Sequence, residues 1–376
     1  MGESFTERVA GRVLCAVAPY TTHDVEVVGR AAELTAAHPA SGLVVRGKHT
    51  ARLLAAFGAK ALPGAARQLV IVDPGYWTTT AATADTPMAA PADEEVLFAV
   101  SLDEQMSSVL TAGADGVLTP SGFVRSGDWP ALKAVLVAGA QVCDPRVATL
   151  VATDAEMLDP DALPTFLELV GEQHAGRPLA FLFAAKDVHL ATTGRIAGLR
   201  ALVGAFPGSL VMATEVLAAT DALVHGGTAA VGLLSGQRQP RRPGDKGGGF
   251  SPGYRPGMFL RELWETRNPK FYVDWYRNRP APSCAACGRG PESFTADQDD
   301  KDAILIHNVH AWLKALTELH GEGEHAAAWL RRERRDARRA HREIGPPGTG
   351  ADVAPLLAAL CDLDGPEQDR DHSLNR

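Results

Sequence analysis

The chain has 376 residues, 45% hydrophobic and 22% charged, enough for one large domain with an appendage or for two ordinary domains. No run of about 18 apolar residues is free of charge or proline, the first residues lack a basic stretch followed by an apolar one, and five cysteines make no disulfide framework; a membrane span and secretion are therefore not expected, and the cytoplasm is. A net charge of −8 excludes a protein that coats nucleic acid with its whole surface, while leaving room for a local basic face.

From Arg12 to Leu234 one pattern repeats: a short apolar run, a polar or glycine-containing loop, then a helical pattern. The runs are "RVLCAVAPY", "GLVVRG", "QLVIVDPG", "VLFAVSLD", "DGVLTPSG", "TLVATD", "PLAFLFAAKD", "SLVMATE" and "TAAVGLL". Nearly continuous hydrophobic stretches are what parallel strands covered on both faces require. Between them, segments such as "DVEVVGRAAELTAAH" and "DALPTFLELVGEQH" carry helical periodicity. The alternation predicts an α/β fold, a (β/α)8 TIM-like barrel over residues 1–245, with a doubly wound open sheet as the alternative.

In a barrel the C-terminal ends of the strands form the active-site mouth. Asp73 follows four apolar residues and precedes Pro74 and Gly75, so it is expected there, and Tyr76 and Trp77 beside it could stack on a flat base. The competing reading is a carboxylate that caps the next turn, with aromatics as packing. Asp154, Asp187 and Glu215 also end strands; Asp187 has Lys186 and His189 beside it, a set suited to a polar base or a phosphate. Helix capping competes for each of these carboxylates.

The pattern breaks at "GQRQPRRPGDKGGGFSPGYRPG". Gly247, Gly248 and Gly249 would let backbone N–H groups approach an anion, with Arg238, Arg241, Arg242 and Lys246 adding charge. The GK[ST] ending of a Walker loop is missing, and a plain surface loop is the competing reading.

Residues 246–376 then hold "SCAACGRG" and, about twenty residues on, "ILIHNVHAWL". Cys284 and Cys287 are spaced so that two thiolates from one tight turn can meet a metal ion. His307 and His310 lie three apart on a helix, hence on one face. A redox pair, or two unrelated thiols with surface histidines, are the alternatives; a redox motif belongs near the start of a βαβ unit, and this one does not sit there.

"CAAC" followed by "IHNVHAWLKAL" resembles the zinc site of the tRNA-guanine transglycosylase superfamily, (β/α)8 barrels that carry C-x-C-x-x-C in a late insertion and a histidine in a helix reading roughly HN-(L/V)-(H/R). The resemblance is specific over residues 284–315 and looser over the barrel. It implies a structural Zn2+ held by Cys284, Cys287 and His307. The family's first cysteine would fall at Pro282, so His310 is the expected fourth ligand. It further implies exchange of guanine for a 7-deazaguanine base in nucleic acid, tRNA or DNA, with Asp73 resembling the family's catalytic aspartate, in a strand followed by a turn, as general acid/base or base-recognition carboxylate. The family's nucleophilic aspartate has no counterpart in "TAAVGLL", which contains no carboxylate. Asp187 and Glu215 are then the candidate replacements. Otherwise the chain is an inactive paralogue serving an active partner, as a heteromer, or a homodimer. A barrel enzyme on a small phosphorylated substrate is a third reading.

The last long helix, "RRERRDARRAHRE", places Arg331, Arg335, Arg338 and Arg342 at i, i+3/i+4 spacing. Seven arginines against three acidic residues read as a footprint for a nucleic-acid backbone, with a solvated, ion-paired helix as the alternative.

Overall fold

The computed structural model describes residues 3–17, 22–47, 54, 69–89, 101–186, 189–245, 256–294, 298–344 and 351–365. Nine parallel strands lie in its main sheet: β1 (Val13–Val17), β2 (Ser41–Arg46), β3 (Val70–Asp73), β4 (Gly116–Leu118), β5 (Phe123–Val124), β6 (Val147–Asp154), β7 (Leu179–Ala184), β8 (Leu210–Thr214) and β9 (Thr228–Gly232). β1 pairs with both β2 and β9, and β4 pairs with β6, so eight strands close into a (β/α)8 barrel. Eight of the nine expected runs supply those eight strands; "VLFAV" lies outside the described residues. The additional β5 shares one edge of β6 with β4: Val117 pairs with Val147 low on the strand, and Phe123 with Ala152 higher up.

Strand parity sorts the core. On β7, Ala180, Leu182 and Ala184 join the barrel interior, while Phe181 and Phe183 face outward onto Phe166 of the helix Leu163–Gln173, with ring centroids 6.1 and 6.4 Å from it. All six β7 residues are buried, which is why the strand reads as an unbroken apolar run. Burial of one such phenylalanine stabilises by about 1.5–3 kcal/mol. The short helix Phe5–Val9 plugs the N-terminal end: Phe5 and Val9 belong to the interior cluster, and the Phe5 N–H donates to the Pro145 carbonyl at 2.8 Å. At the opposite end Trp77 and Phe123 cover the interior.

After the barrel come a hairpin, β10 (Met258–Leu260) with β11 (Glu265–Arg267), and the helices Pro269–Trp275, Gln298–Gly321, Ala326–Glu343 and Pro355–Asp364. The long helix Gln298–Gly321 lies along the barrel helix Thr22–Ala36. His38 at the N-terminal end of the barrel is 2.7 Å from Thr317, so the turns carrying His307 stand toward the mouth. No helix among the described residues is long and apolar enough to cross a membrane.

Candidate functional site

Two constellations stand out, one at the mouth and one beside it. At the mouth, β2 and β3 are in register so that Arg46 pairs with Asp73. Asp73 is fully buried: Oδ1 accepts the Gly75 N–H at 2.8 Å and Oδ2 accepts the Trp77 indole N–H at 3.2 Å. Burial pushes its carboxyl above the usual aspartate value, against the opposing pull of the Arg46 charge and the two hydrogen bonds. The Arg46 guanidinium lies 4.7 Å from the Trp77 ring centre. Trp77 is therefore an interior side chain, tied to Asp73 and covered by Arg46, and the open face expected for base stacking is not there; Tyr76 is half-buried.

Asp154 ends β6 on the inward parity of Ala152 and is buried. Its Oδ2 accepts the Ser126 N–H at 2.7 Å, and its Oδ1 accepts from Arg242, whose other nitrogen reaches Glu156 at 2.7 Å. The arginine-rich stretch thus runs across the mouth: Pro240 accepts from the Ala185 N–H at 3.1 Å, and Gln239 donates to Glu215 at 2.7 Å. Glu215 is half-buried at the start of the helix Val216–Val224, with no capping hydrogen bond from its side chain. Lys186 is exposed; Asp187 and the glycines Gly247, Gly248 and Gly249 lie outside the described residues.

Gly232 closes β9 under tight constraint. A Cβ there would stand 2.4 Å from the Arg238 backbone nitrogen and 2.4 Å from the Gln237 carbonyl carbon. Arg238, buried, donates to the Gly232 and Leu233 carbonyls. The end of β9 not only lacks a carboxylate but has no room for one in this backbone arrangement.

Beside the barrel, Cys284, Cys287 and His307 bring their sulfurs and a ring nitrogen within 4.8 Å of one another. The knuckle is shaped by backbone bonds: the Gly288 N–H donates to the Cys284 carbonyl at 2.8 Å, with Gly288 at φ +70. Only glycine takes that conformation without cost. Burial would raise the Cys284 thiol, but the adjacent His307 ring and hydrogen bonds from the Cys287 and Ala286 N–H groups outweigh it, leaving the pKa at about 6, whereas burial raises that of Cys287. A thiol held so low is suited to coordinate a metal as thiolate. His307 Nε2 donates to the Phe259 carbonyl at 2.9 Å, which leaves Nδ1 as the lone-pair nitrogen, 3.3 Å from Cys287. That is how a metal-binding histidine is usually oriented.

His310 is not part of this group. It sits one turn further along, where burial, then the charges of His307 and Arg30, lower its pKa. Sharing a helical face with His307 does not bring its ring nitrogens within reach of the two sulfurs. Asn308, not singled out in the sequence, serves as an anchor: its Oδ1 accepts the Phe259 N–H at 2.7 Å and its Nδ2 donates to Gly257 at 2.8 Å.

The arginine helix is split. Arg334, one of the seven arginines read together as a basic footprint, is turned inward and buried between Asp221 and Asp364. Arg335, Arg338, Arg339 and Arg342 line a groove of about 620 Å³ against the helix Pro355–Asp364. Within it Arg338 pairs with Asp362 at 2.7 Å, and Arg339 pairs with Asp336 at 3.1 Å. Arg331 and Arg342 are exposed.

No known protein family matches the chain, and no curated protein matches it. Solved structures match it weakly. One is YagE, a prophage protein of the dihydrodipicolinic acid synthase family from E. coli K12, solved with pyruvate: 13% identity, TM-score 0.32, 94% of this chain and 96% of that one. Another is a dihydrodipicolinate synthase family protein from Coccidioides immitis, at 13% identity and TM-score 0.36 over 60% of this chain and 67% of that one. Triosephosphate isomerase from Bartonella henselae matches at 13% and TM-score 0.33 over 59% and 92%. The closed ring of strands defines the class of protein, a TIM-barrel protein carrying a cysteine–histidine knuckle, and likenesses this weak add nothing about chemistry.

Proposed function

We propose that the chain is a divergent tRNA-guanine transglycosylase-like protein acting on nucleic acid, tRNA or DNA, and exchanging guanine for a 7-deazaguanine base. The observation that carries the reading is the knuckle: Cys284, Cys287 and His307 converge, and the neighbouring Asn308 anchors the same helix to β10. The site suits Zn2+, which prefers thiolate and imidazole ligands. Its part would be structural, pinning the late insertion to the long helix. Two further features are consistent with the reading: mouth carboxylates for base recognition and proton transfer, Asp154 and Asp73, and a basic groove for a phosphate backbone. Asp73, whose carboxyl burial raises above the usual aspartate value, would hold a proton more readily than a solvated aspartate.

Gly232 favours a second reading, a non-catalytic nucleic-acid-binding subunit of an active partner, because the last strand has no room for a nucleophile. The experiment is incorporation of radiolabelled guanine and 7-deazaguanine bases into bulk tRNA and duplex DNA by the purified chain. Label in either supports exchange, with a nucleophile outside β9. No label from folded, zinc-loaded protein that still binds nucleic acid supports the subunit.

A further inference from the structure

The mouth holds a cavity of about 190 Å³, lined by Phe123, Arg125, Asp154, Arg242, Pro243 and Asp245. Drug-sized pockets run to roughly 300–1,000 Å³, so this one suits a single ring system. Its charged groups divide into two kinds. Asp154 and Arg242 satisfy each other, and Arg242 also reaches Glu156. Asp245 and Arg125 do not share in that arrangement. Asp245 Oδ2 is shielded from solvent and has no hydrogen-bond partner among the described residues. Arg125 is exposed and carries no side-chain hydrogen bond or ion pair among the described residues.

A shielded carboxylate oxygen without a donor is costly, and folded proteins leave few such groups without a reason. Here the shielded Asp245 oxygen and the exposed Arg125 guanidinium face one cavity. We infer that this cavity is a ligand site in which Asp245 accepts from the N–H edge of a planar ring lying against Phe123, while Arg125 receives a negatively charged group on the same ligand. The inference rests on the base-exchange reading and deepens it. The ligand bears an anionic group, either a carboxylate on the ring of the incoming base or the phosphate of the nucleotide whose base leaves.

Calorimetric titration of the full chain with two matched pairs of probes separates the sources: guanine against 7-carboxy-7-deazaguanine, and guanosine against guanosine 5′-monophosphate. One charge-assisted hydrogen bond from Arg125 should make the anionic member of one pair bind about tenfold tighter than its neutral partner. The carboxylate pair showing the preference identifies a ring substituent, and the nucleotide pair identifies a phosphate. Arg125→Gln should abolish the preference and leave the neutral member unchanged. Asp245→Asn should weaken every base-bearing probe about tenfold, and thermal melts of both variants should match the parent. Equal affinity within both pairs, or a preference that survives Arg125→Gln, overturns the inference. If the same protein still incorporates label, base exchange stands without it. Inorganic phosphate bound in an Arg125-dependent way, with no base-bearing probe bound, upholds the anion site and overturns base exchange.

Discussion

Arg334 donates to Asp221 at 2.7 Å across the boundary between the C-terminal helices and the barrel, with only 1% and 0% of the two side chains exposed. The second Arg334 nitrogen reaches Asp364 at 2.9 Å, and Arg200 reaches both aspartates at 2.8 and 2.7 Å. Two arginines and two aspartates thus neutralise one another inside the joint that fixes the appendage. Breaking a buried pair by removing one partner costs about 3–5 kcal/mol. Asp221→Leu should lower the unfolding free energy of the full chain by that amount in urea titrations. A loss under about 1 kcal/mol would mean that the joint is held by packing alone.

The same aspartate sets an acid limit. Burial would raise Asp221, but the bond from Arg200 and the charges of Arg334, Arg200 and His225 outweigh it, so its pKa falls below the ordinary value. A carboxylate depressed in the folded state contributes stability that is present above its unfolded value, about 3.9, and is lost as pH falls through the lowered native one. The parent should lose stability below about pH 4, and Asp221→Asn should flatten that part of the profile. A parallel acid limb in the variant would rule out this source.

At the knuckle, Cys287→Ser and His307→Ala should each purify with far less than one zinc per chain, whereas His310→Ala should keep one. Metal analysis by mass spectrometry decides it. Loss of zinc from the His310 variant would restore that residue as a ligand and contradict the three-ligand geometry. Chelation of the parent should lower its thermal midpoint, because a structural zinc contributes folding energy directly.

What was legible in the sequence follows from the range of each interaction. Barrel strands buried on both faces announce themselves as apolar runs, whereas the two-residue β5 is too short to carry a pattern. The cysteine turn is local, Cys284 to Gly288, and its spacing points to a metal site; His307 comes from the helix motif, and the same motif suggests His310, which is not part of the group. The fate of Arg334 could not be read from spacing. It shares the inward stripe of Leu330, Ala337 and His341, but its partner Asp221 is 113 residues away, so an arginine on that stripe read as surface charge. Asp73 was placed correctly at a strand end. Its bond to the Trp77 indole, which turns an expected stacking ring into interior packing, depends on the tight turn at Gly75, where φ is +78.

Gly232 gives a direct test of why β9 lacks a nucleophile. With backbone 2.4 Å from the position of a Cβ, Gly232→Ala should force residues 237–238 to shift and cost about 1–3 kcal/mol, the usual penalty of overpacking. Gly232→Asp should be less stable still and gain no base-exchange activity. A neutral alanine variant would show that the loop yields easily, and a carboxylate at this strand end would then be sterically admissible.

The arginine groove predicts how binding responds to salt. Each phosphate neutralised on duplex DNA contributes about −0.9 to the slope of log K against log salt. Arg335, Arg338 and Arg342 changed together to alanine would remove up to about 2.7 from that slope if all three contacted phosphates. Arg338 already pairs with Asp362 at 2.7 Å, so its release must first break an ion pair, and the expected change is nearer 2. Asp362→Asn should act in the opposite sense, tightening binding at low salt by freeing Arg338. Arg331, exposed but outside the groove, should matter less than any of the three. If the triple variant binds duplex DNA and tRNA with an unchanged slope, the groove is not the polyanion surface, and the helix is simply a solvated, ion-paired one.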